Sequence, residues 1–466
     1  MLRLRASEIA AAIGGELHGD DVTVTGSVET DSRLVGEGSV FFAMPGEVTD
    51  GHRFIDAAIA AGAALVVAER AVEQDVPHIL VADGVTALGA LAADVIRRVR
   101  EVGDLTVIGV TGSNGKTTTK AMLQAVLERH GGTVSPVKSF NNEVGAPMTM
   151  LRIDESTRYL VLEMGASVEG DIARLTAMSH PDIGVVLKVG LAHAGEFGGI
   201  ETTQRAKTEM VRDLAPEHVA ILNHDDERVR RMADATAARV RWFGTEAGPA
   251  GAPMLRASDI DSCLDGTTAT IHRGEESWPM RIRVLGEHHV MNALAALSAV
   301  DALGLDLAQA IDDLGALEAA ERGRMEVVEA PGGTTIIDDA YNASPDSMAA
   351  ALRALAHMTR RAERRSVAVL GTMAELGPHS TEEHDRIGRL AVRLRIDRLV
   401  VVGEGAKAIH DAAELESSFG QDTSWVATAE EAEALVRATT LPGDVVLFKS
   451  SNVSGLQALA QRMGAA

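Results

Sequence analysis

Apolar residues follow two alternating rhythms along this chain. Continuous apolar runs at residues 40–43, 64–67 and 78–81 read as buried strands. Leu88, Leu91, Val95, Ile96 and Val99 instead recur at the spacing of one helix face. A polar break at 101–104 marks a first boundary. Residues 105–110 then form a β-branched run typical of a buried parallel strand. It turns through glycines into a helix carrying Met122, Leu123, Val126 and Leu127. Further strands are expected at 159–163, 183–189 and 219–223, with helical sequence between them, and that βαβ order predicts a parallel sheet covered on both faces. The acidic, alanine-rich stretch 248–261 reads as loop. A last unit begins near Arg322, with strands at 334–338, 366–370, 399–402 and 445–448. The predicted fold class is therefore α/β with three domains. Residues 1–101 form the first, 102–320 a central parallel-sheet mononucleotide-binding unit, and 321–466 a Rossmann-like unit.

Composition narrows the possibilities. A length of 466 residues is too much for one ordinary core. The formal charge of −23 argues against general nucleic-acid binding and against anionic membranes, both of which need a basic surface. The single cysteine, Cys263, cannot form an internal disulfide, and the first residues lack the apolar core of a signal peptide. No apolar run approaches the ~20 residues needed to cross a bilayer. The cytoplasm is the expected compartment.

The strongest chemical signal is Thr111-Gly112-Ser113-Asn114-Gly115-Lys116-Thr117-Thr118, between a strand and a helix. Glycines let backbone N–H groups crowd a polyphosphate, the helix N-terminus favours its charge, and Lys116 can reach the outer phosphates. Thr117 offers a hydroxyl to magnesium. The competing reading is a plain glycine turn with a solvated lysine. Glu163, at the expected carboxyl end of the next strand, suits a magnesium ion facing those phosphates, although an acid there can also be a surface residue. His193 and Lys207 follow further strand ends, where either can be structural or functional. The Asn141-Asn142 turn can cap a helix or bond a carboxylate or peptide substrate. Asn292, in an alanine-rich helix, can read a base edge or pack against a neighbour. Asp338-Asp339-Ala340-Tyr341-Asn342 sits at a strand terminus, with Pro345 starting a helix.

With these residues in hand, the chain resembles the Mur ligase family over nearly its whole length. The resemblance implies an ATP-dependent, peptide-bond-forming ligase. The phosphate loop matches at Thr111 to Thr117, the magnesium glutamate at Glu163, the second-metal histidine at His193 and the carbamylated lysine at Lys207. The family's adenine-reading asparagine falls on Asn292 and its C-terminal-domain arginine on Arg324. Asp339 is implied at the ribose and Tyr341 beside the nucleotide. Asn141, Asn142 and Asn342 are implied on the side of the peptide substrate. Ser32 and Arg33, in Asp31-Ser32-Arg33, look like the family's uridine-nucleotide-binding segment. The expected cofactors are ATP and two Mg²⁺ ions. The expected substrates are UDP-N-acetylmuramoyl-tripeptide and D-alanyl-D-alanine, handled by a monomer without nucleic acid or membrane insertion. The sequence departs from the family at Ser344, where asparagine is common, and at Lys449-Ser450-Ser451, where Lys-Gly-Ser is usual.

Other readings compete. A diaminopimelate-adding relative usually carries Asp-Asn-Pro-Arg, a run missing here. An ATPase switch or motor needs a longer phosphate loop, because only two residues separate Gly112 from Gly115 in this chain. A non-enzymatic nucleotide module leaves the acid, histidine and lysine candidates around one loop without a role.

Overall fold

The computed structural model of the chain describes residues 2–46, 49–137, 139–190, 199–317, 323–330, 332–416 and 422–465. Three main sheets follow one another along the chain. The first has five strands in the order Glu16–His18, His78–Leu80, Ala63–Ala68, Ser39–Ala43 and Val28–Glu29. The apolar runs at 40–43, 64–67 and 78–81 supply its middle. The helix Gly84–Val102 follows, started by Asp83, whose side chain accepts from Thr86 N–H. Its apolar face is the one expected from the spacing of Leu88, Leu91, Val95, Ile96 and Val99, all buried.

The central sheet has nine strands. Thr106–Thr111 lies between Thr157–Glu163 and Ile183–Val186, all three parallel. Val219–Asn223 and Arg239–Gly244 extend the parallel part. Alternate residues of Thr106–Thr111 feed different cores. Val107 packs with Leu160 and Leu162, whereas Ile108 and Val110 pack with Met122, Leu123 and the helix Glu287–Ala302. Burial on both faces is why the run is continuously apolar. The first of these cores is shared between units, because Leu88, Leu91 and Val95 belong to it together with Leu160 and Leu162.

One expectation fails here. The stretch 248–261 is not all loop, since Met254–Cys263 is a strand paired antiparallel to Gly266–Arg273, itself paired antiparallel to Glu276–Ile282. Leu255 and Ala257 alternate inward and are buried, while Arg256 and Ser258 face outward between them. A strand with one wet face tolerates that polar composition, and two hairpin turns suffice to fold it back. The central sheet is thus mixed rather than purely parallel.

The third sheet has six strands, ordered Glu326–Ala330, Thr334–Asp338, Val445–Lys449, Ser366–Leu370, Arg398–Val402 and Asp422–Val426. All are parallel except Glu326–Ala330. The four strands expected in this unit are present, and the two at its edges are additional. Among the described residues, no helix is long and apolar enough to cross a membrane.

Candidate functional site

The site is built where the carboxyl ends of the central strands meet the third unit. Thr106–Thr111 ends in the glycine loop, and the helix Lys116–Leu127 starts directly after it. Gly115 has φ +88°, and a Cβ there would fall 2.3 Å from Asn292 Oδ1. A side chain is excluded by conformation and by space together. Lys116 Nζ donates to Gly112 O at 2.8 Å, so the lysine curls over its own loop. Burial pushes its pKa below the ordinary lysine range, against the pull of Glu163. Ser113 pins the loop to the neighbouring strand end by accepting from Gly190 N–H at 2.8 Å.

Glu163 is 1% exposed and its register partner is Val110, one residue before Thr111. It accepts from Thr117 Oγ1 at 3.0 Å and from Asn141 Nδ2 at 2.8 Å. A buried hydroxyl and carboxylate, set beside a phosphate loop, offer the hard oxygen donors that magnesium takes, so the residues present fit that ion.

Arg324, Asp339, Tyr341 and Asn342 of the third unit face this cluster across a cavity of about 200 Å³, which Ser113 to Thr118, Asn141, Glu163 and Asn292 also line. The Arg324 guanidinium lies 4.6 Å from the Tyr341 ring centre. Tyr341 Oη donates to Ser139 Oγ at 3.3 Å, and Ser344 Oγ donates to Asn114 Oδ1 at 2.9 Å. Asp339 forms a buried ion pair with Lys449 at 2.6 Å. Lys449 Nζ also donates to Asn342 O at 3.1 Å and so holds the Asp339–Asn342 turn in shape. A second cavity of about 620 Å³ opens on the other side of Asn114 and Asn292, walled by Phe243, Met291, Asp225 and Arg386.

Lys207 lies on the helix Ile200–Arg212 and is 3% exposed. Burial lowers its pKa to about 7, helped by the charge of Lys116 and opposed by Glu209 and Asp171. His193 falls outside the described residues. Asn142 accepts from Gly145 N–H at 2.8 Å as a turn residue, whereas its neighbour Asn141 reaches Glu163. Ser32 and Arg33 lie in the first unit and line neither cavity. Arg33 is paired with Asp31 at 2.6 Å, its side chain 85% exposed. Ser139, His289 and Lys449 also line the smaller cavity, and the sequence alone assigns them no role. Lys449 carried a signal, as a lysine ending the otherwise apolar strand Val445–Lys449.

A phosphate-cradling loop, a buried acid at the next strand end and a further α/β unit across the cavity define a three-domain nucleotide-binding enzyme. Comparison with known proteins makes this specific. Family models match as the Mur ligase family catalytic domain over residues 25–96, the Mur ligase middle domain over 110–300 and the Mur ligase glutamate ligase domain over 323–452. A UDP-N-acetylmuramoyl-tripeptide–D-alanyl-D-alanine ligase of Mycobacterium leprae is 43% identical over 512 residues, covering 99% of this chain and 98% of the relative. The crystal structure of MurF from Acinetobacter baumannii superposes with a TM-score of 0.89 at 30% identity, covering 100% of this chain and 99% of that one. MurF ligase from Thermotoga maritima in complex with ADP gives 0.82 at 30% identity, covering 95% of this chain and 97% of that one. The chain belongs to the Mur ligase family.

Proposed function

We propose that this enzyme joins D-alanyl-D-alanine to UDP-N-acetylmuramoyl-tripeptide at the expense of ATP, giving the pentapeptide precursor of peptidoglycan, ADP and phosphate. The observation that carries the reading is the cavity in which Lys116, Thr117 and Glu163 face Arg324, Asp339 and Tyr341. Full-length likeness to ligases of that name supports the choice of substrates.

A carboxylate does not condense with an amine at useful rates near neutral pH, so it must first be activated. The terminal carboxylate of the tripeptide attacks the γ-phosphorus, the bond from that phosphorus to ADP breaks, and an acyl phosphate forms. The dipeptide amine then attacks the acyl carbon, loses a proton, and inorganic phosphate leaves. This chain's groups position the reactants and neutralise charge. The loop amides and Lys116 bind the phosphates, and Arg324 adds a cation from the opposite wall.

Thr117, Glu163, His193 and a carbamate on Lys207 would hold two Mg²⁺ ions, which neutralise phosphate charge when bound. Lys207 supports this reading, since an amine titrating near neutrality is available to add CO₂. Asn292 and the second cavity serve the adenosine, with Asp339 and Tyr341 beside the nucleotide. Asn141, Asn142 and Asn342 serve the peptide, and Ser32 and Arg33 the uridine nucleotide. The division of labour follows residues 1–101, 102–320 and 321–466, in a monomer working in the cytoplasm.

The test is ADP release from purified enzyme with the UDP-linked tripeptide, varying the amine. Release only with both the tripeptide and D-alanyl-D-alanine is expected. Equal release with single amino acids, or without the tripeptide, would overturn the reading.

A further inference from the structure

His289 is 4% exposed, lines the phosphate-loop cavity, and has no hydrogen-bond partner at Nε2 among the described residues. A buried polar atom without a partner is costly, and its presence in a cavity calls for an occupant. The other nitrogen is committed. Asn292 Nδ2 lies 3.3 Å from His289 Nδ1, so Nδ1 accepts and the ring proton resides on Nε2. Asn292 Oδ1 lies on the Gly115 side, where a Cβ would fall 2.3 Å from it.

Burial keeps the ring neutral by holding His289 well below the ordinary histidine pKa, and His288, Arg324 and Lys449 reinforce it. A neutral imidazole with a spare buried donor, in a cavity lining it shares with Lys116 and Arg324, suits an anionic oxygen. An uncharged donor adds directionality there without adding to the crowding of cations.

We infer that His289 is a phosphate-recognising residue, donating from Nε2–H to a non-bridging phosphate oxygen of the nucleotide seated on the loop 112–118. The inference rests on the reading of this cavity as the nucleotide site. It also gives Asn292 a second task, that of fixing the histidine tautomer.

The experiment is calorimetric titration of the full-length enzyme and of His289→Phe with ADP, and with adenosine by competition. Phenylalanine keeps a flat aromatic ring, somewhat larger, and removes both nitrogens. ADP affinity should fall roughly tenfold or more, the size of a hydrogen bond to a charged oxygen, while adenosine is unchanged. A packing role exerted through Asn292 would weaken ADP and adenosine alike, and that outcome overturns the inference. Equal ADP affinity in His289→Phe overturns it too. Wild-type enzyme that binds no ADP overturns both this inference and the nucleotide reading beneath it. Should His289→Phe fail to fold, ¹⁵N resonances of the wild-type imidazole decide. Protonated Nε2, shifting on addition of ADP, is the expected result, and bare Nε2 the contrary one.

Discussion

Ser344 Oγ donates a hydrogen bond of 2.9 Å to Asn114 Oδ1, joining the first turn of a helix in the third unit to the phosphate loop of the second. The same hydroxyl accepts from Ser347 N–H and so caps the helix Pro345–Arg361. One side chain thereby ties the third unit to the glycine loop 112–118. Lys188 and Asp346, 3.7 Å apart, add a weaker tie beside it.

The two tasks of Ser344 are separable. Ser344→Ala loses both and should cost about 1 kcal/mol of stability, the usual value of a cap. Ser344→Gly retains most of the cap, so only a few tenths of a kcal/mol should be lost. Both variants lose the Asn114 contact, so both should lower kcat to a similar degree while their melting temperatures differ. Unchanged kcat in Ser344→Gly would reduce the serine to a cap.

Lys207 leads to a test with carbon dioxide. With a pKa brought to about 7, its amine is largely neutral at pH 8, which is the form that can react with CO₂. Turnover should fall in buffers stripped of CO₂ and recover with bicarbonate. Lys207→Ala should lower turnover sharply, with partial rescue by small carboxylic acids. The unmodified lysine also has a stability signature. Its folded pKa lies below the ordinary lysine value of 10.5, so the unfolded chain binds the extra proton between the two. Stability of the carbamate-free enzyme should therefore rise with pH from about 7 towards 10.5, and Lys207→Met should remove that slope.

Asp338 gives a slope of opposite sign. Burial, with Glu326 and Asp339 adding, raises its pKa to about 6, although Ala340 N–H donates to it. Its other carboxylate oxygen is buried without a partner among the described residues. The folded state is protonated more readily than the unfolded one, so stability falls as pH rises from the ordinary carboxylate value of 3.8 through about 6. Asp338→Asn should raise the melting temperature at pH 8, and the gain should vanish near pH 4. A constant difference at both pH values would show that the carboxylate charge is not its source.

The Lys449–Asp339 pair is the place where a single change should damage most. Lys449→Met leaves the Asp339 carboxylate buried without its cation, and loss of one partner of a buried pair costs about 3–5 kcal/mol. The double variant Lys449→Met with Asp339→Asn should recover much of that stability in thermal or urea unfolding. Activity should stay low in both, because the Asp339–Asn342 turn that carries Tyr341 loses its clamp.

The sequence made legible whatever depends on neighbours along the chain. Thr106–Thr111 and Val445–Lys449 announce themselves because a strand buried on both faces must be continuously apolar. The phosphate loop is legible because only glycine permits its backbone. Met254–Cys263 was hidden by Asp259 and Asp261 on its wet face. Ser139 and His289 were hidden for another reason, since their importance comes from facing residues of other segments, and the partner of Lys449 was hidden in the same way. Lys449 meets Asp339 across 110 residues of chain. No periodicity records such a meeting.

The apolar core that runs unbroken from Leu88, Leu91 and Val95 to Leu160 and Leu162 bears on how such enzymes can be engineered. The unit preceding residue 102 is welded to the central sheet rather than tethered to it. Cutting it away would strip one face of that sheet, and exchanging it for the corresponding unit of another ligase would require recutting the seam on both sides. Altered choice of nucleotide-linked substrate is therefore better sought by changing individual side chains than by swapping modules.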